Sequence, residues 1–103
     1  MQVIHQPRVA WDAARVIGRA IHDEHLFGWL RGELGALMGP ATAAALDETR
    51  DRVRWAGDAR LPVETGVWRV RLEDSLRQHP DLAGGLAGVV STARALRPVL
   101  AFA

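Results

Sequence analysis

The sequence predicts an all-α fold, a roughly antiparallel bundle of four main helices whose first member is long and kinked or broken near His25. Three observations point there. Apolar residues recur at alternating steps of three and four along most of the chain, glycine and proline punctuate those runs, and no two strand-like segments could pair into a sheet. With 103 residues, a single domain over 1–103 is expected, with an N-terminal tail at 1–8 and a C-terminal tail at 98–103.

From Val9 to Met38 the residues Ala13, Val16, Ala20, Phe27, Leu30, Leu34 and Leu37 keep helical spacing, and Asp23 fills the one missing position. Ile17 and Ile21 widen the stripe over the first half, which predicts broad burial there. The polar block His22-Asp23-Glu24-His25 is the expected kink, and Gly39-Pro40 closes the run. Thr42 is the expected cap of a second helix to about Trp55, with Ala45, Leu46, Thr49, Val53 and Ala56 on one side and Gly57-Asp58 as its stop. Arg60-Leu61-Pro62 reads as a linker.

Val63 to His79 satisfies two periods. Trp68, Val70 and Leu72 alternate with Arg69 and Arg71 as in a strand, yet Val63, Val67 and Val70 form one helical edge and Trp68, Leu72 and Leu76 the next. Helix is the reading adopted, because a lone strand of about five residues would have no partner. At His79-Pro80 the incoming helix must stop, and Pro80 suits the first turn of an outgoing one. That last helix is expected from Asp81 to about Leu96, carrying Leu82, Leu86, Val89, Val90, Ala93 and Leu96, with Pro98 as its end. Gly28 and Gly32, Gly35 and Gly39, and Gly84 and Gly88 stand four apart, which predicts close helix packing.

All 13 basic residues are arginines, against 12 acidic ones, so the net charge is +1 and a strong overall field for phosphate binding is missing. The absence of cysteine removes disulfides, thiolate metal sites and cysteine nucleophiles. No signal-peptide pattern or long uncharged apolar run is present, and a cytoplasmic location is expected. No cofactor-binding motif is found. Gly84, Gly85 and Gly88 fall in a helical pattern without a preceding strand or a lysine, which argues against a phosphate-binding loop.

The candidate chemistry is sparse. His22, Glu24 and His25 could present two imidazoles and a carboxylate to one ion, with His5 or His79 completing the set, but they lack HExxH spacing. Ser75 has His79 four residues on, without a nucleophile elbow. Adjacent carboxylates at Glu73-Asp74 and Asp23-Glu24 diverge by about 100° on a helix and share no acid–base site. Arg52, Arg54, Arg69 and Arg71 could touch phosphates if the helices on either side of the linker formed a DNA-binding pair, although acidic neighbours dilute them. Trp11 and Trp29 fall off the main stripe of the first helix, and with Phe102 in the apolar tail they are the candidate interface residues.

The run Leu72, Leu76, His79-Pro80, Leu82, Leu86, Val90 resembles the helix–proline–helix ending of small alanine- and arginine-rich helical proteins of GC-rich bacteria. The likeness covers the last third of the chain and implies an adaptor role beside signalling or defence effectors. His79 stands where an aspartate cap is usual, and no residue role carries over. The expectation is therefore a non-catalytic interaction or adaptor module, with another protein or itself as partner. The alternatives are a small DNA-binding regulator and a metal-binding helical protein.

Overall fold

In a computed structural model the backbone is described for residues 5–101 and the side chains for residues 5–96. Five α-helices and one 3-10 turn follow in order: α1 (Gln6–Ala20), α2 (Glu24–Met38), α3 (Pro40–Ala56), the turn Asp58–Arg60, α4 (Leu61–Gln78) and α5 (Leu82–Ala101). The described residues are all-helical as expected, but the long first helix is two. The break falls in the polar block: the Asp23 side chain accepts a hydrogen bond from the Leu26 N–H at 3.0 Å and so caps α2.

Several boundaries differ from the sequence reading, each for a local reason. Thr42 does not cap the next helix, because Pro40 already occupies its first turn and Gly39, at φ +105°, makes the bend from α2. Gly57, at φ +92°, closes α3 in the same way. Arg60-Leu61-Pro62 is not a linker: the 3-10 turn runs directly into α4, with Pro62 in its first turn. Pro80 lies in the turn before α5, where the Leu82 N–H reaches the His79 carbonyl and the Ala83 N–H the Pro80 carbonyl. α5 also continues through Pro98 to Ala101. Proline there forfeits one backbone bond close to the helix end but keeps a helical φ.

α1 sits at the centre, packed on α4, α5 and α2, while α2 also packs on α5 and α3. Its small residues explain the position. Ala10, Ala13, Ala14 and Ala20 are buried beside Val16 and Ile17, so neighbours can approach on more than one side. At Gly18 an added Cβ would come within 2.9 Å of Thr65 Oγ1 on α4, and at Gly85 within 2.7 Å of a Leu37 methyl. Close approach thus occurs there and at Gly35, which faces Ala43, whereas Gly28, Gly32 and Gly88 have open space. Phe27, Leu30, Leu34, Leu46, Leu72, Leu76 and Leu86 complete the core. The Arg50 guanidinium lies over the Phe27 ring at 4.2 Å from its centroid, a cation–π contact, and its buried Nε has no hydrogen-bond partner among the described residues.

Candidate functional site

One carboxylate is deeply placed. Glu64 lies four residues before Trp68 on the buried edge of α4, in phase with Leu72 and Leu76. Its Oε1 accepts from Arg52 Nε at 3.1 Å and Nη2 at 2.8 Å, and its Oε2 accepts from Arg60 Nε at 2.9 Å. Beside it the Trp68 indole N–H donates to Thr49 Oγ1 at 2.8 Å, and that hydroxyl donates to the Ala45 carbonyl at 2.9 Å. The hydrogen bond from Arg52 is the main reason the Glu64 carboxyl titrates below its ordinary value; burial opposes the shift and Arg60 reinforces it. A carboxylate held ionised and satisfied on both oxygens has no proton to deliver. This cluster fastens α3, the 3-10 turn and α4 together.

The histidine block is divided. His22 Nε2 lies 2.8 Å from Asp58 Oδ1, linking the break after α1 to the 3-10 turn, while Glu24 and His25 begin α2 and are exposed. Among the described residues no three histidine or acidic side chains come close enough to hold a metal ion. Ser75 and His79 meet through the backbone, where the His79 N–H donates to the Ser75 carbonyl at 2.8 Å and ends α4.

The four arginines nominated for phosphate contact are spread over two helices. Arg52 serves Glu64, Arg69 donates to Glu73 at 3.2 Å, Arg71 lies over the Trp68 ring at 5.2 Å, and Arg54 is exposed on α3. Arg31 and Asp47 form a paired contact at 2.8 and 2.9 Å, which lowers the Asp47 carboxyl and raises the guanidinium.

Trp11 and Trp29 are both half-buried. Trp29 leans on the core, whereas Trp11 sits among cations, with Arg15 at 4.6 Å and Arg69 at 5.9 Å from its ring centroid. Phe102 lies outside the described residues. An open groove of about 440 Å³ runs beside Trp11, lined by His5, Pro7, Arg8, Arg69 and Glu73.

Two surface features lie outside the candidate interface residues read from the sequence. Trp55, near the end of α3, is 93% exposed, and the Val63, Val67, Val70 edge of α4 is about half exposed at each position, at 51%, 52% and 47%. A shallow concavity of about 800 Å³ follows that edge and includes Arg71, Asp74 and Gln78. The signal for the valines was present: two helical edges compete in α4, and the one carrying the larger rings and leucines wins the core. For Trp55 the signal was its place beside Gly57, beyond the last core residue of α3, Val53.

No family model, curated protein or solved structure matches this chain. No helix among the described residues is long and apolar enough to cross a membrane.

Proposed function

We propose that this protein is a non-catalytic interaction module that associates with a second copy of itself through the outward edge of α4. The observation supporting the reading is the run Val63, Val67, Val70, three β-branched side chains left half in water on one helical stripe of a small domain. Their steps of four and three match a helix–helix seam, with Asp74 continuing it. In an antiparallel pairing centred on Val67, Asp74 of one copy falls level with Arg60 of the other, a register of opposite signs, although within each copy Arg60 holds Glu64 and Asp74 pairs with Arg77. Like charges at Asp74 would face each other in a parallel pairing. Trp55 adds an exposed ring at the end of α3, away from any need of the core.

Sedimentation across a concentration series is the test. A mass that doubles with concentration, and returns to monomer in Val67→Glu/Val70→Glu with unchanged helicity, supports the reading. A wild-type chain that remains monomeric throughout defeats it.

A further inference from the structure

We propose that the groove between the start of α1 and the middle of α4 binds a nucleobase together with its phosphate. The floor is Trp11, a half-buried indole that lines the groove. Around it are guanidiniums from two helices. Arg8 and Arg69 line the groove itself, and Arg15 and Arg69 stand within cation–π range of the ring.

His5 adds a donor whose position is set by the fold. Its Nδ1 accepts the Arg8 backbone N–H at 3.2 Å to cap α1, so the neutral ring carries its proton on Nε2. The groove therefore joins an aromatic face to donors suited to phosphate oxygens. It is a shallow groove of about 440 Å³, open to solvent.

The acidic residues here favour a ring-bearing anion over a plain one. Glu73 lines the groove and takes the Arg69 bond, and Asp12 engages Arg8 at 3.6 Å and Arg94 at 3.3 Å. With the cations partly neutralised, bare phosphate finds little net charge. A base stacked on Trp11 supplies attraction that does not depend on charge. A smaller hollow of about 100 Å³, lined by Gln6, Pro7, Glu73 and Arg77, shares Pro7 and Glu73 with the groove. The ligand could be a free nucleotide or one unit of a single strand, and the chemistry is common to both. Binding here does not rest on self-association; Arg69 also lines the concavity along the valine edge, whereas Trp11 and Arg8 do not.

The test is calorimetric titration of the full chain with 5′-adenosine monophosphate, inorganic phosphate, adenosine, a single strand of about eight nucleotides and hexaglutamate. The monophosphate should bind at least about tenfold more tightly than phosphate or adenosine alone, a difference of about 1.4 kcal/mol. Trp11→Leu should weaken it about tenfold, as loss of one stacked base contact does. Arg69→Gln should weaken it and flatten its salt dependence; this exposed-chain variant carries the test if Trp11→Leu unfolds. A strand bound more tightly than the monophosphate identifies the single-stranded source, and equal affinity identifies the free nucleotide. Phosphate binding as well as the monophosphate, hexaglutamate binding as well as either nucleotide form, no binding by any nucleotide, or full affinity in both variants overturns the proposal.

Discussion

The two long edges of α4 both carry apolar side chains at helical spacing and meet opposite fates. Trp68, Leu72 and Leu76 are 2%, 0% and 0% exposed, while Val63, Val67 and Val70 on the adjoining edge remain near half exposure. Side-chain reach accounts for much of the difference. Indole and leucine extend far enough to fill the space above the alanines of α1, and valine, branched at Cβ, does not. The second difference is polar. The inward edge carries Glu64, whose oxygens are bound by Arg52 and Arg60, and Trp68, whose N–H is bound by Thr49, so its rotation about the helix axis is fixed by directional bonds. Apolar periodicity alone would allow either edge to face in. Hydrogen bonds and volume decide it.

The sharpest way to break this comparison is to shorten the inward edge. Leu72→Ala removes a fully buried side chain and should cost about 2–5 kcal/mol, through lost transfer energy and a residual cavity. Val67→Ala, at a half-exposed position on the other edge, should stay within about 0.5 kcal/mol in dilute monomeric solution. Urea unfolding of the two variants measures both. Equal losses would mean that the edges are not distinguished by burial.

Glu64→Gln tests the polar half of the account and should have a smaller effect, roughly 1–3 kcal/mol, because both arginines remain able to reach water. The sign of its pH dependence follows from the depressed carboxyl. Stability from Glu64 is fully present above its unfolded value of about 4.3 and is lost as pH falls through the lower folded value. Wild type and Glu64→Gln should therefore differ most near neutrality and converge in acid, as read from melting temperature between about pH 7 and pH 2. Asp47, lowered chiefly by the bond from Arg31, adds a shift of the same sign to both chains. A gap that widens in acid would contradict the assignment of Glu64 as an ionised anchor.

Much of the fold was legible because helical spacing is a property of the chain itself. The helix reading of Val63 to His79 agrees with the structure, and the polar block at His22 to His25 marks the break between α1 and α2. Boundaries were less legible where two signals competed. Pro40 prevailed over Thr42 as the start of α3, and Pro98 failed to stop α5. The candidate groove was legible only in pieces. Trp11 was nominated for a protein interface and Arg69 for nucleic acid, but they are 58 residues apart in sequence, and only the packing of α1 on α4 puts them together. Glu64 was overlooked because a carboxylate in an apolar stripe reads as solvent-facing until its arginine partners, from α3 and the 3-10 turn, are known.

The smallest expected effect is also the most discriminating for the outward edge. Val67→Glu/Val70→Glu should change the stability of the dilute monomer by no more than about 0.5 kcal/mol, since half-exposed positions on a helix accept charge without breaking packing. At high concentration the two proteins should part. If the valine edges of two copies cover one another, the wild-type melting temperature rises with concentration by mass action and the variant's does not. Thermal melts at several concentrations therefore separate an edge that is open from one that is covered only in the assembled form. A variant that is less stable by the same margin at every concentration would place those valines in the monomer's own packing, and the contrast between the two edges of α4 would then be one of degree.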